Sequence, residues 1–421
     1  MQRKLTFDVA VVGGGAAGVG AAVGAAQTGA RTILIDRNPY FGGAATHSSV
    51  LTYCGFFTQG EPPEQIVGGV GQNVLNHLAR LGMYEGPRRT ARTGTVIVLL
   101  DPEVTKLALD RCVTEAGVEP LLHAQVIGAE TSEGRISAIQ CVDHAGMFTI
   151  EASAFVDASG EGDLASLSGG EVIFGNAEGH LQSATLMIRI GGVAADAHAH
   201  PLQVEQAVLK GKADGIEGLT KELGTIVRMP GGNQDVLAIL CDEEVNGLEA
   251  GSMTKAELSG RRQAWAYLEA FKRYLPGFES AYLVQTGPQI GIRETRHIVG
   301  EYTLTGDDVL QARRQADAIA RGGWPVELHP EPGKPNVWHE IKDKSFYDIP
   351  LRSLKVKGVG NLWAAGRIID CDPLAFASAR VMGTAFATGQ AAGVAAALHG
   401  QQDASDYQSV RSELLRQEAI L

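Results

Sequence analysis

The sequence predicts an α/β protein: a Rossmann-like nucleotide-binding domain on a ββα-type parallel sheet with an inserted β-meander, joined to a mixed α+β substrate or cap domain. Three observations predict it. An apolar run, Val9 to Val12, enters Gly13-Gly14-Gly15-Ala16-Ala17-Gly18 and an Ala-rich stretch reaching Gly29, which reads as buried strand, glycine turn and helix. A second apolar strand, Thr32 to Ile35, ends in Asp36. The same texture returns after Ile349: Asn361 to Arg367 reads as a strand ending in glycine, and Ala377 to Leu398 as a small-residue helix.

The first element carries the most chemistry. Gly13 allows the tight turn, Gly15 lets backbone N–H groups approach a pyrophosphate, and Ala16 and Ala17 open the helix whose positive end faces the phosphates. Gly18 lets that helix lie close to the strand. Asp36, with Arg37 beside it, stands where a carboxylate accepts hydrogen bonds from an adenosine ribose. A dinucleotide is the expected ligand. Residues 9 to 26 carry no charge, yet they are mostly Gly and Ala, too poor in large apolar surface for a membrane span and without a leader's cleavage pattern.

The remaining elements follow in order. Arg37 to His47 is a turn-rich loop with Gly42 and Gly43 paired. The spacing of Ile66, Val67, Val70, Val74, Leu75, Leu78 and Leu81 predicts a helix over 64–82. Asp101-Pro102-Glu103 opens another helix, to about Gly117. Short strands at 121–122, 126–127, 136–142 and 148–150 form the meander, and Ala154 to Asp157 is a strand entering a Gly and acid loop. Between Ile173 and His339 the elements mix. Thr254 and Glu257 read as a capping box for a helix carrying Leu258, Trp265, Leu268 and Phe271, and Asp307 as the cap of a helix ended by Gly322-Gly323, with the aromatics as core. The expected domains are 1–172 and 346–421, forming one discontinuous nucleotide-binding unit, and 173–345 as the cap.

Composition narrows the partners. At 421 residues, 44% apolar and 20% charged, the chain has room for substantial cores. A net charge of −12 without a basic run argues against nucleic acid. Five cysteines without a C-x-x-C pair disfavour a thiol redox centre or structural zinc and suit the cytoplasm. No metal is expected: the histidines show no H-E-x-x-H pattern, and His198 and His200 read as a surface pair. A homo-oligomer is left open.

With these motifs laid out, the chain resembles the FAD-dependent oxidoreductases of the glutathione-reductase-like (GR2) superfamily, related to the succinate dehydrogenase and fumarate reductase flavoproteins. The resemblance rests on 13–18 and Asp36, Gly42-Gly43-Ala44-Ala45-Thr46, Asp157 to Asp163, Gly287 to Glu294, Ala365-Gly366-Arg367, and 380–393. It implies FAD as cofactor. It further implies that Val126 lends its backbone to the adenine, that Gly42, Gly43, Ala44 and Thr46 run beside the isoalloxazine, and that Ser159, Gly160 and Asp163 belong to the cofactor site. Gly366 and Arg367 would approach the ribityl chain and pyrophosphate. Arg380 to Phe386 is similar to the fumarate reductase Arg-Leu-Gly-Gly-Asn-Ala-Leu segment, in which N–H groups meet the flavin pyrimidine and the arginine meets a substrate carboxylate. Thr384, Ala385 and Phe386 thus join the cofactor set, with Thr384 and Phe386 departing from Asn and Leu.

The flavin carries the redox step and the protein binds, orients and tunes. Arg380 is the first substrate-side candidate and Arg293, beside Glu294, Arg296 and His297, the second. His47 fits two roles, base or covalent flavin tether. His329, His339 and Tyr347 precede the return to the cofactor domain and are further candidates to face the active site. The leading expectation is a dehydrogenase or oxidase passing hydride from a small polar amine or hydroxy compound to flavin N5, with oxygen, a quinone or a protein as electron acceptor. A redox-neutral flavoenzyme, such as a hydratase or isomerase, and a non-enzymatic nucleotide-binding scaffold are the alternatives.

Overall fold

The computed structural model describes residues 3–50, 52–90, 93–176, 178–197, 199–230, 234–402 and 406–421. Strand β1 (Arg3–Val12), helix α1 (Ala16–Gln27) and strand β2 (Thr32–Ile35) form the opening unit. β1 and β2 pair in parallel, Val9 opposite Thr32 and Val12 opposite Ile35. On its other edge β1 runs parallel to Gly146–Asp157, Val12 meeting Asp157, so glycine turn and acid loop end side by side. Glu119–Leu121 extends the sheet beyond β2, and Leu362–Ala364 adds a strand parallel to the end of Gly146–Asp157. The meander Gln125–Ser132 and Arg135–Asp143 completes this mixed sheet by antiparallel pairing. Its Phe148–Ile150 and Ala154–Asp157 segments, expected as separate strands, are one.

The C-terminal helix Met382–Gln402 lies directly on α1. Small residues make this approach possible: a Cβ on Gly389 would come within 2.1 Å of Ala17 O, and one on Gly393 within 1.9 Å of Ala21 O. The contact is backbone against backbone, which any larger side chain would force apart.

A second body forms within the insertion. The antiparallel strands Thr225–Arg228, Val236–Ile239, Ile188–Gly191 and Tyr282–Thr286 lie in that order, with helices Pro201–Ala213 and Ala250–Tyr274 packed together beside them. Its core runs from Ala184 to Ile290 and is separate from the large core that holds α1 and Met382–Gln402. Of the stretch expected as the cap, Leu304, Val309, Ile319, Val326 and Ile341 pack into that large core instead.

Several expectations need correction. The helix expected over 64–82 spans Gly69–Arg80, and Ile66 and Val67 precede it as buried loop residues because positive φ at Gly69 sets its start. Thr254 is no cap: its helix begins at Ala250, its hydroxyl donates to Ala250 O at 2.8 Å, and Glu257 accepts from Ile290 N at 2.6 Å. On that helix Leu268 and Phe271 are buried, but Leu258 and Trp265 are 51% and 61% exposed. Asp307 is not the cap either; Thr305 and Asp308 form a capping box for the short helix Gly306–Leu310, and Ala318–Gly322 is strand. The helix expected from Ala377 is two, Pro373–Ala379 and Met382–Gln402, bent by 94° at Arg380 and Val381. Among the described residues no single helix is long and apolar enough to cross a membrane.

Candidate active site

The glycine turn floors a cleft of about 190 Å³ at the carboxyl ends of the parallel strands. Gly13 takes φ of +96°, and a Cβ there would lie 2.4 Å from Ala158 O. Gly18 faces the turn itself, its Cβ position 1.7 Å from Gly13 O. Gly15 differs: the nearest atom to its Cβ position is Gly43 Cα at 3.7 Å, so a side chain there would enter the cleft. No side chain caps α1, which leaves its first N–H groups as donors for a ligand. Asp36 caps the turn, its Oδ2 accepting from Gly14 N at 2.6 Å and its Oδ1 from Asn38 N at 2.8 Å.

Most of the predicted cofactor residues line this cleft: Gly13, Gly15, Ala16, Ala17, Asp36, Arg37, Gly43, Ala44, Val126, Ser159, Gly160, Asp163, Gly366, Arg367 and Ala385. Five do not. Gly18 packs helix to turn, and Gly42 lies against Thr46, whose hydroxyl donates to Phe41 O at 2.8 Å. Thr384 is buried against Gly55, its hydroxyl without a partner, and the Phe386 ring packs edge-on against Tyr53 at 5.3 Å. Arg367 is held by Glu161 and by Gly160 O at 2.7 Å. Asp163 accepts from Arg296 at 2.6 Å.

His47 lines the cleft, but its ring stacks on Tyr40 at 4.4 Å and its Nε2 meets Tyr40 O at 3.0 Å. Burial lowers its pKa, against the pull of the Asp36 charge. The nearby charges it feels are Asp36, Arg37 and Lys106, not the two candidate arginines.

Those arginines meet at a second cavity of about 270 Å³. Ala44, Ile292, Arg367, Arg380 and Met382 line both spaces, so the cavities abut. Arg380 sits at the helix bend and donates to Glu327 O at 3.2 Å, while its Nε is buried without a partner. Arg293 donates to Thr185 Oγ1 at 2.9 Å and to Ser183 O. Among the described residues neither guanidinium has a carboxylate within 4 Å. Burial, with Arg380 nearby, pushes Arg293 down to about 10.

Glu327 and His329 form a pair that no sequence pattern marks: at i and i+2 in Val326-Glu327-Leu328-His329, extended backbone puts them on one side. His329 Nε2 lies 3.4 Å from Glu327 Oε1, and Trp324 Nε1 and Asn336 Nδ2 donate to the same carboxylate at 3.2 and 3.0 Å. Burial works to raise the Glu327 pKa, but the His329 hydrogen bond and the charges of His329, Arg380 and Arg293 prevail and hold it low. Burial and then Arg293 push His329 down to about 3. Neutral His329 therefore gives its Nε2 proton to Glu327, which leaves the Nδ1 lone pair buried without a partner. Lys221, Trp324, Asn336 and Trp338 also line this cavity, none of them singled out by the sequence. His339 is exposed, and the buried Tyr347 hydroxyl is 2.9 Å from Ser378 Oγ, so neither lines either cavity. His198 lies outside the described residues; His200 caps the helix Pro201–Ala213.

The profile of the family described as FAD dependent oxidoreductase matches residues 8–418. The chain belongs to the FAD dependent oxidoreductase family. It is an enzyme, and FAD is its cofactor. Over 107 residues it is 34% identical to a 3-oxosteroid 1-dehydrogenase of Mycobacterium tuberculosis, a match covering 25% of this chain and 16% of that protein. The matched part is thus about a sixth of that relative's length. The fold is similar to that of CabE, an aromatic hydroxylase from angucycline biosynthesis, with TM-score 0.50, 12% identity, and 98% of this chain and 66% of that one covered. BexE, studied for oxidation during BE-7585A biosynthesis, matches with the same values. At such identities the likeness is one of fold. FAD fits the residues present: the Gly15 cradle is the space a side chain would fill, the α1 donors suit a pyrophosphate, and Asp36 stands at the end of β2.

Proposed function

We propose that this flavoenzyme is a dehydrogenase or oxidase that removes hydride from a C–H bond next to oxygen or nitrogen in an organic anion. The single observation that carries the reading is the pair Arg293 and Arg380, half-buried, without carboxylate partners among the described residues, and set where the cofactor cleft meets the second cavity. Resemblance to the succinate dehydrogenase and fumarate reductase flavoproteins supports it, since the matching arginine of those proteins meets a substrate carboxylate. When bound, FAD supplies a two-electron acceptor at N5.

The chain's own residues do the rest. N–H groups of the 13–18 turn hold the pyrophosphate and Asp36 the ribose. Arg293 and Arg380 take the substrate's anionic group in forked hydrogen bonds and fix the C–H bond at the wall between the cavities. As that bond yields its hydride, the hydroxyl or amine proton passes to His329 Nδ1, leaving C=O or C=N. An anion on Arg293 offsets the charge that lowers His329 and so makes it a better base on substrate binding. Glu327 holds the ring and its tautomer.

Oxygen-free mixing of the holoenzyme with a panel of 2-hydroxy acids and amino acids tests this. At least one member is expected to bleach the yellow flavin, and Arg380→Ala to slow bleaching on the order of 100-fold while FAD stays bound. A substrate that is turned over without bleaching would install the redox-neutral reading instead, and equal loss of FAD in Arg380→Ala would make that arginine a cofactor ligand.

A further inference from the structure

Only one end of the second cavity is charged. Its cationic side chains among the described residues are Lys221, Arg293, Arg367 and Arg380. Arg367 is paired with Glu161, and Lys221 is 3.6 Å from Asp242 and bonded to Asn336, itself a donor to Glu327. All four therefore gather with Glu327 and His329 or are already neutralised.

The remaining wall is of a different kind. One small apolar cluster, built from the inserted sheet with Val50 of the first body, brings Val50, Met187, Val227 and Ile239 to the cavity. Another, from the first body, brings Ile97, Trp324, Trp338 and Val381. Both clusters are separate from the main cores. The rim carries Thr90, Thr93 and Thr95, whose hydroxyls bond one another at 2.7 to 3.0 Å and offer no charge.

We infer that the substrate is an amphipathic monoanion: one carboxylate-class head on Arg293 and Arg380, and an apolar body, alkyl or aromatic, along the two apolar clusters. This inference rests on the proposed placing of the head group and narrows the small polar compound expected from sequence. A dicarboxylate of the same length finds no second cation for its far end and must desolvate that charge against aliphatic and indole surface.

The test needs binding, not turnover. The holoenzyme is titrated with straight-chain monocarboxylates from acetate to decanoate, with the matching primary amides, and with dicarboxylates of equal length; tryptophan quenching and flavin absorbance report Kd. Affinity is expected to rise about fourfold per methylene. The amides are expected to bind at least about tenfold more weakly, and each dicarboxylate more weakly than its monocarboxylate. Val227→Asp and, should it fail to fold, Ile239→Asp should flatten the chain-length series, weakening decanoate binding far more than acetate binding. A Kd indifferent to chain length, dicarboxylates that bind more tightly, or an undiminished series in a folded variant would overturn the inference. The two readings fail separately. Chain-length-dependent binding with no bleaching by any corresponding 2-hydroxy acid sinks the redox reading and keeps this one, whereas bleaching by short polar acids without chain-length dependence does the reverse.

Discussion

Gly15 and Gly18 stand three residues apart in one turn and tolerate a side chain oppositely. At Gly18 a Cβ would sit 1.7 Å from Gly13 O, inside the protein's own backbone; at Gly15 it would meet nothing closer than 3.7 Å. Gly15→Val is therefore expected to give folded, colourless protein, with a native circular dichroism spectrum and no FAD in the supernatant after acid precipitation. Gly18→Val is expected to yield little folded protein at all. Full FAD content in Gly15→Val would refute the phosphate cradle. This turn and Asp36 were legible because their chemistry is contiguous along the chain. His329 was one of three candidates before the return to the cofactor domain, but Glu327 and its pairing with His329 were not legible, since a carboxylate and an imidazole two apart are ordinary until burial and two arginines surround them.

α1 and Met382–Gln402 show what the small residues are for at the level of elements. Gly20 and Gly24 on one helix and Gly389 and Gly393 on the other let the backbones touch along two turns, Gly20 facing Phe386 O at a Cβ distance of 2.5 Å. Gly393→Val is expected to separate the helices and cost about 3 kcal/mol or more in urea unfolding, with FAD affinity falling in step. A loss under about 1 kcal/mol would mean that the helices do not meet as described. The small-residue composition made this helix readable. Its break did not announce itself: Ala-Ser-Ala-Arg-Val-Met has neither Gly nor Pro, and the chain bends by 94° there because Ser378 is tied to Trp324 O and Tyr347 while Gly383 lies against Cys54 O and Gly55. That bend is what delivers Arg380 to both cavities.

For the whole molecule, a neutral histidine in a cationic interior makes stability depend on pH. His329 titrates at about 3 in the fold against 6.5 when exposed, so between those values the unfolded chain binds the extra proton and stability falls as pH falls. His47 and His77, also lowered by burial, act in the same direction, and Glu327, held low, adds its loss at still lower pH. Stability should be full above pH 6.5 and decline below it, with His329 contributing on the order of 3 kcal/mol by pH 4. Thermal melts of native protein and His329→Gln at fixed excess FAD check this: the variant should show the shallower acid decline, and parallel curves would remove His329 from the buried cluster. The sequence by itself determined the nucleotide half of this protein, because a phosphate cradle needs only a strand, a few glycines and one acid in unbroken order. Tertiary structure alone decided the second cavity, whose walls come from Val50, Ile97, Met187, Val227, Arg293, Glu327 and Arg380. No local pattern links residues so far apart; packing of the inserted body against the first brings them to one surface.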